Sequence, residues 1–222
     1  MTKRRVVLVC GGEWSGADLL RRYLAQSDKV ISVDGGARWF WENGFVPHFA
    51  LGDFDSVQQS ELAARFPATT QIIPTPDQEY TDLDKALGFC QNVLGAQQVL
   101  VWGALGGRLD HTFGALTQLV KHGAAMDVRL VDAVGETRFV SQTLRVTADD
   151  TLSQQPLIGR GCALLALGKA DGICTTGVRW PLDDESLEPG VREDTSNETT
   201  AETITVSVRS GSVLLFLQHG PP

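Results

Sequence analysis

The sequence predicts an α/β domain with an open, mostly parallel sheet, followed by a small β-sandwich. Two observations lead to this fold class. Up to Asp132, short apolar runs alternate with stretches whose apolar residues recur at helical spacing, which is typical of βα units. After Glu136 the runs are short and β-rich, and Gly, Asp, Pro and Ser separate them. A chain of 222 residues, 42% of them hydrophobic, is long enough for both domains.

Six apolar runs are expected to form the strands of the first domain. They are RVVLVC at 5–10, KVISVD at 29–34, HFALGD at 48–53, TQIIP at 70–74, QVLVWG at 98–103 and DVRLVD at 127–132. Between the runs, residues such as Leu83, Leu87 and Cys90 recur at helical spacing, and Gly44 and Gly123 stand where helices should end. We therefore predict helices on both faces of a parallel sheet.

The second domain is predicted from six further runs. They are TRFV at 137–140, TLRVT at 143–147, CALLAL at 162–167, GICTTGVRW at 172–180, TITVSV at 203–208 and VLLFLQ at 213–218. Because no amphipathic helix of useful length interrupts these runs, they favour a β-sandwich. The polar stretch 182–202 is expected to be a loop. The predicted domains are residues 1–132 and 137–222.

Bulk composition excludes several classes of protein. A net charge of −8 and a pI near 4.9 argue against nucleic acid as a partner, because phosphate backbones need a basic surface. The apolar runs are too short to span a membrane, and Val6–Cys10 is too short for the core of a signal peptide. The four cysteines form no CxxC pair and are expected to be reduced and mostly buried. We therefore expect a cytoplasmic protein.

Aspartates gather directly after the predicted strands. Asp53 and Asp55 in LGDFDS are two residues apart and would point the same way in an extended chain. The others are Asp34, Asp77, Asp82 and Asp110. The carboxyl ends of parallel strands meet at one edge, where the ligand crevice of such sheets lies. So many carboxylates require a cation, and an all-oxygen set suits Mg²⁺ shared with a polyphosphate.

The motif GGRLDH offers groups that bind anions. The backbone amides of Gly106 and Gly107 can form an anion nest before a helix, and Arg108 adds a planar fork for phosphate oxygens. The sequence lacks a P-loop and a convincing dinucleotide fingerprint. Thr81 and Asp84 match a capping box, so the structural interpretation is favoured for both. His111 is given no role in proton transfer.

Six motifs together resemble the thiamine pyrophosphokinase family, in the family's order. They are DGGA at 34–37, GDFDS at 52–56, DQEYTD at 77–82 with Lys85, GGRLDH at 106–111, TTGVRW at 175–180 and TSNE at 195–198. The resemblance implies transfer of the diphosphate of ATP onto the hydroxyl of thiamine, which gives thiamine diphosphate and AMP. It also implies a homodimer that binds thiamine where the two subunits meet. Arg38 departs from the family, in which asparagine is common at this position.

The resemblance further implies a role for each matching residue. Mg²⁺ would be held by Asp53, Asp55 and Asp82. The nucleotide would be bound by Asp34, Gly35, Gly36, Gln78, Thr81, Lys85 and Arg108, with Asp110 beside them, and Gly106 and Gly107 would supply the anion nest. Thiamine would be contacted by Trp180, Thr195, Ser196 and Asn197. The permanent thiazolium cation of thiamine would favour an aromatic face such as that of Trp180.

In the expected mechanism the metal bridges the ATP phosphates, while Arg108 and Lys85 offset charge as the α,β bond breaks. Asp110 is expected to orient the alcohol or to accept its proton. Three alternatives stay open. A pyrophosphokinase of the same build could act on another hydroxymethyl heterocycle, such as a pterin. DFD also resembles the DxD motif of metal-dependent nucleotide-sugar transferases, and a module that binds ligands without chemistry is a third possibility.

Overall fold

The computed structural model describes residues 3–221, and the chain divides into two compact units. The first contains the residues up to Gln118 together with Ala125–Asp132. The second contains Leu119–Ala124 and the residues from Ala133 onward. The second unit also includes the last turn of the helix that precedes residue 123, and the domain bounds 1–132 and 137–222 stay a prediction.

Six parallel strands form the sheet of the first unit, and five α-helices belong to its connections. The strands are β1 Arg5–Val9, β2 Lys29–Val33, β3 Phe49–Gly52, β4 Gln71–Pro74, β5 Gln98–Trp102 and β6 Asp127–Val131. The helices are α1 Ala17–Ala25, α2 Ala37–Asn43, α3 Gln59–Arg65, α4 Asp82–Asn92 and α5 Leu109–His122. All six predicted strands are therefore present, and Gly44 ends α2 in the left-handed conformation expected of a helix C-cap.

The strands of this sheet lie in the order β6, β5, β1, β2, β3, β4, and every pairing is parallel. From β1 the chain adds strands in one direction as far as β4, and β5 then joins the other side of β1. The strand order reverses between β1 and β5, and the crevice outside such a point is where open α/β sheets bind ligands. Val6–Val9 of the central strand are fully buried, which explains their continuous apolar run.

Eight strands lie in the second unit and pair antiparallel in two groups. They are β7 Gly135–Val140, β8 Thr143–Thr147, β9 Gly161–Ala166, β10 Ala170–Thr176, β11 Glu185–Leu187, β12 Asp194–Glu198, β13 Thr203–Ser207 and β14 Val213–Gln218. Neighbouring strands follow the order β12, β9, β14, β7 in one group, and the other group is a four-stranded sheet with the order β11, β10, β13, β8. Buried residues of both sheets, such as Ile173 and Leu215, share one core cluster, as the predicted sandwich requires.

The prediction of a continuous loop over 182–202 is wrong, because β11 and β12 both lie within it. Each is the edge strand of its sheet, and β12 pairs with β9 through a shifted register. An edge strand buries few of its side chains, so its sequence can stay polar and lacks an apolar run. No helix among residues 3–221 is both long and apolar enough to cross a membrane. All four cysteines are free thiols, and Cys174 is the one that is only half-buried.

Candidate active site

Three carboxylates from three separate connections converge at the carboxyl edge of the first sheet. Asp34 follows β2, Asp53 follows β3, and Asp82 begins α4 after β4. One carboxylate oxygen from each lies within 4.8 Å of the other two, and all three residues are half-buried. We call these residues the acid triad. They fit a magnesium ion, which prefers hard oxygen ligands and tolerates an incomplete protein shell.

Asp34 is held in place by an unusual backbone and by a neighbouring serine. Its φ of 43° is left-handed, which is costly for a residue other than glycine. Ser56 donates a hydrogen bond of 2.5 Å to Asp34 Oδ2. The other oxygen, Oδ1, is buried and has no hydrogen-bond partner among the described residues. A buried oxygen without a donor is costly, and a bound cation would satisfy it.

Asp53 is oriented by Gln78, one of the predicted nucleotide ligands. Gln78 Nε2 donates to Asp53 Oδ2 over 3.0 Å, and the amide of Asp55 donates to Asp53 Oδ1 over 3.2 Å. The Asp55 carboxylate is exposed and is not one of the three that converge. The extended strand ends at Gly52 and Phe54 has a left-handed φ of 63°, so the same-side geometry expected of Asp53 and Asp55 does not hold. A direct metal contact by Asp55 stays a prediction.

Asp82 is paired with Lys85, whose ammonium group also binds two backbone carbonyls. Lys85 Nζ lies 2.8 Å from Asp82 Oδ1. It also donates to the carbonyl oxygens of Thr75 and Asp77, each over 2.8 Å. The contact with Asp82 is an ion pair without hydrogen-bond geometry, because Asp82 Oδ1 is buried and has no hydrogen-bond partner among the described residues. Lys85 thus holds the segment between β4 and α4 through the two carbonyl groups.

The electrostatics of the acid triad favour a cation. Burial raises the pKa of Asp82, and the negative charges of Asp53 and Asp34 raise it further, against the lowering effect of Lys85. The hydrogen bond from Gln78 lowers the pKa of Asp53. Burial also raises the pKa of the Cys10 thiol to about 12, with the charges of Asp82 and Asp34 adding to the effect, so Cys10 is a neutral neighbour. A divalent ion would remove these repulsions.

Gly35 and Gly36, two of the glycines predicted to bind the nucleotide, directly follow Asp34 of the triad and lie close to other parts of the chain. A Cβ on Gly36 would lie 1.9 Å from the carbonyl oxygen of Val9, and a Cβ on Gly35 would lie 3.3 Å from Ser56 Oγ. Thr81 is the N-cap of α4, since its Oγ1 accepts the Asp84 amide over 3.2 Å. The predicted capping role of Thr81 is therefore confirmed, and its nucleotide contact stays a prediction.

Gly106 and Gly107 both have left-handed φ angles, of 78° and 65°. A typical anion nest pairs a right-handed residue with a left-handed one, so the nest stays a prediction. The Gly107 amide, however, donates to Glu13 Oε1 over 3.1 Å. A protein carboxylate thus lies where a phosphate was expected. Sequence reasoning missed Glu13, although it lies four residues beyond the end of β1, after two glycines, and so at the same edge of the sheet.

Arg108 also has a partner within the protein. Its Nε and Nη2 donate to the two oxygens of Asp110 over 3.1 and 2.6 Å. The hydrogen bond from Arg108 lowers the pKa of Asp110 to about 2. So acidic a carboxyl group is a poor proton acceptor near neutral pH, which weakens the expectation that Asp110 acts as the base. Both side chains are exposed, so Arg108 can exchange this partner for a phosphate at modest cost.

The predicted thiamine residues lie in the second unit. Trp180 is 56% exposed, and the guanidinium carbon of Arg179 lies 5.1 Å from its ring centroid. Asn197 is buried and binds the Trp180 backbone twice, accepting its amide over 3.2 Å and donating to its carbonyl over 2.9 Å. Its amide group therefore supports Trp180, whereas Thr195 and Ser196 are exposed. Their contacts with thiamine stay predictions.

Comparison with known proteins places these features in one family. The thiamin pyrophosphokinase catalytic domain matches residues 20–131, and the vitamin B1 binding domain of the same enzymes matches residues 146–213. Thiamine pyrophosphokinase 1 of Arabidopsis thaliana is 31% identical over 78% of this chain and 66% of its own length. Thiamin pyrophosphokinase 1 of Caenorhabditis elegans is 29% identical over 77% of this chain and 69% of its own length.

A solved structure agrees over nearly the whole chain. The thiamin pyrophosphokinase of Geobacillus thermodenitrificans superimposes with a TM-score of 0.80 at 25% identity, covering 96% of this chain and 97% of that one. The order of an α/β domain followed by a β domain is therefore shared, and the predicted fold class is confirmed. With both of its domains matched in order, this chain belongs to the thiamin pyrophosphokinase family.

Proposed function

We propose that the chain carries out the family's reaction, ATP-dependent diphosphorylation of thiamine, at the acid triad of the first unit. The observation that supports this location is the convergence of Asp34, Asp53 and Asp82 from three loops to within 4.8 Å. In this proposal the triad holds Mg²⁺, with Asp34 as a ligand that the sequence motifs did not assign to the metal. Asp55 is proposed as an outer contact, through water or the phosphates, since its carboxylate is exposed.

The thiamine hydroxyl oxygen forms a bond to the β-phosphorus of ATP as the bond from that phosphorus to the α,β-bridging oxygen breaks. AMP leaves with the bridging oxygen, and the hydroxyl proton is released to solvent. Magnesium, when bound, supplies charge that offsets the phosphates. The protein contributes mainly alignment and charge, because phosphoryl-type transfer needs little covalent help. Gln78 orients Asp53, Lys85 holds the segment that carries Asp82, and Arg108 exchanges Asp110 for a phosphate. We infer no covalent intermediate and no strong protein base.

The proposal is tested by removing one charge from the triad. Asp53→Asn keeps an oxygen that can accept the Asp55 amide but loses the negative charge. With Mg²⁺, ATP and thiamine, we expect production of AMP and thiamine diphosphate to fall by about a hundredfold or more, as for the loss of a metal ligand. Affinity for Mn²⁺, measured separately by electron paramagnetic resonance, should fall by about tenfold or more.

Glu42→Gln is the matched control, because it changes the net charge equally. Glu42 is exposed near the end of α2, where the chain is about to enter β3, and so lies at the opposite edge of the sheet from the triad. Its activity and Mn²⁺ affinity should equal those of the wild type. Near-normal turnover and Mn²⁺ binding in Asp53→Asn would refute the proposed metal site.

The remaining assignments concern the second unit and the assembly. We propose that the first unit binds ATP and that the second binds thiamine through Trp180, in a cytoplasmic homodimer with thiamine at the subunit interface. The exposed ring of Trp180 and the match to the vitamin B1 binding domain support this assignment. Sedimentation would test the dimer. No observation favours the pterin or nucleotide-sugar alternatives, and AMP formation with thiamine but not with a pterin alcohol would separate them from this proposal.

A further inference from the structure

The loops that follow the neighbouring strands β1 and β5 are joined by hydrogen bonds, at the point where the strand order of the first sheet reverses. The amide of Cys10 donates to the Trp102 carbonyl, and the amide of Gly12 donates to the Gly103 carbonyl, each over 2.8 Å. A Cβ on Gly12 would lie 2.4 Å from that same carbonyl oxygen, so a side chain there would break the contact. The backbone directly before Glu13 is therefore fixed by the loop after β5.

The residues after Glu13 are anchored as well. Trp14 Nε1 donates to the Cys10 carbonyl over 2.7 Å, and Trp102 Nε1 donates to the Ser15 carbonyl over 2.9 Å. A Cβ on Gly103 would lie 2.8 Å from the Trp14 ring, so this packing is tight. Glu13 thus lies between two anchored segments. Its side chain faces Gly106 and Gly107, which we call the glycine loop.

The Glu13 carboxylate lies directly against that glycine loop. Its Oε1 accepts the Gly107 amide over 3.1 Å. Its Oε2 would be only 2.7 Å from a Cβ on Gly106, so the carboxylate lies close to both glycines. A backbone amide in a glycine-rich loop can bind an anion. Here a carboxylate of the protein is that anion.

We propose that Glu13 is a built-in competitor for the nucleotide phosphate and so sets the affinity of this site for polyphosphates. The inference rests on the proposed function, in which the glycine loop meets the phosphates of ATP. A phosphate oxygen can accept the Gly107 amide only after Glu13 leaves it. Because both groups are anionic, the displaced carboxylate also repels the phosphate. Glu13 thereby weakens nucleotide binding.

Two substitutions separate competition from support of the loop. Glu13→Gln keeps an oxygen that can accept the Gly107 amide but removes the charge, and Glu13→Ala removes both. Calorimetry would measure the binding of Mg²⁺ with a non-hydrolysable ATP analogue and, separately, of Mg²⁺ with inorganic tripolyphosphate. If Glu13 competes, both variants bind both probes more tightly, by about fivefold at low ionic strength, the effect expected of one exposed charge. The gain should shrink in 0.5 M NaCl, since salt screens exposed charges.

Glu42→Gln is again the matched control, because it removes one negative charge at a position far from the loop. It should bind both probes as the wild type does. Unchanged binding in both Glu13 variants would overturn the inference. So would weaker binding in Glu13→Ala with normal binding in Glu13→Gln, because that pattern identifies Glu13 as a support for the loop. If the wild type binds neither probe, the proposed function is refuted, and this inference is refuted with it. Equal binding by wild type and variants removes this inference alone.

Discussion

Replacing Lys85 with methionine tests how much the segment between β4 and α4 depends on one ammonium group. The Lys85 side chain is 11% exposed, and its Nζ contacts the Thr75 and Asp77 carbonyls and the Asp82 carboxylate, each at 2.8 Å. Methionine keeps most of the apolar stem but none of the donors. The two carbonyls and the half-buried Asp82 would then have to find other partners or water.

The magnitude follows from these three contacts. A hydrogen bond from a charged donor contributes about 1.5–3 kcal/mol in a protein, and partial access to water reduces the loss at this site. The Asp82 pair is partly exposed and adds less than a buried pair would, about 1 kcal/mol. We therefore expect Lys85→Met to lower the free energy of unfolding by about 2–4 kcal/mol, a large share of the 5–15 kcal/mol typical of a domain.

Urea unfolding at pH 7 and low salt measures this change, with Lys169→Met as the matched control. Lys169 has 60% of its side chain exposed, and its Nζ is 3.5 Å from Asp171, so its loss should cost no more than about 0.5 kcal/mol. Mg²⁺ should stabilise Lys85→Met more than wild type, because the triad has lost its nearest cation. A loss equal to that of the control, with no added response to Mg²⁺, would refute the reasoning.

Three further predictions concern the backbone, a pKa and a buried amide. Gly36→Ala places a Cβ 1.9 Å from a strand carbonyl and should lower the free energy of unfolding by about 3 kcal/mol or more. Gly88→Ala is the control, because Gly88 lies within α4 with nothing within 4 Å of its Cβ position, and it should raise that free energy by about 0.5–1 kcal/mol. Similar shifts of the two melting temperatures would contradict this. The Asp110 carboxyl should titrate by NMR near its pKa of about 2, so its favourable effect on stability is full above pH 4 and is lost as the pH falls through 2. Arg108→Gln should return that pKa towards its ordinary value of 3.8, and an unchanged titration would rule out the ion pair. Asn197→Ala should lower the free energy of unfolding by about 2 kcal/mol, because two hydrogen bonds to the Trp180 backbone are lost. It should also weaken thiamine binding, measured by tryptophan fluorescence. A stable variant with full thiamine affinity would count against the role of Asn197 in supporting Trp180.

Much of the fold could be predicted because local patterns report burial. The six strands of the first sheet are continuous apolar runs, since a central parallel strand such as β1 is covered on both faces. The strands β11 and β12 were missed because edge strands are held by backbone hydrogen bonds and need no apolar run. The cap at Thr81 was predictable because it is a local contact between two residues three positions apart, Thr81 and Asp84.

The candidate site was predictable in outline but not in detail. Its position at the carboxyl edge follows from the order of strands and aspartates along the chain. Which aspartates belong to the acid triad depends on the backbone conformation of the loops. Asp34 is left-handed and belongs to the triad, whereas Asp55 follows the left-handed Phe54 and lies outside it. Such conformations are unfavourable locally and are imposed by the surrounding structure, so spacing alone does not reveal them.

By itself, the sequence determined the fold class, the family and the edge of the sheet where the chemistry belongs, because periodicity and ordered motifs are local properties of the chain. Only the tertiary structure decided which charges meet: Asp34 with Asp53 and Asp82, Lys85 with the segment before α4, and Glu13 with Gly107. The acid triad and the Glu13 pair join residues from different loops, and the Glu13 pair spans 94 positions. Their distances are set by how the strands pair and how the loops turn, and no local pattern carries that information.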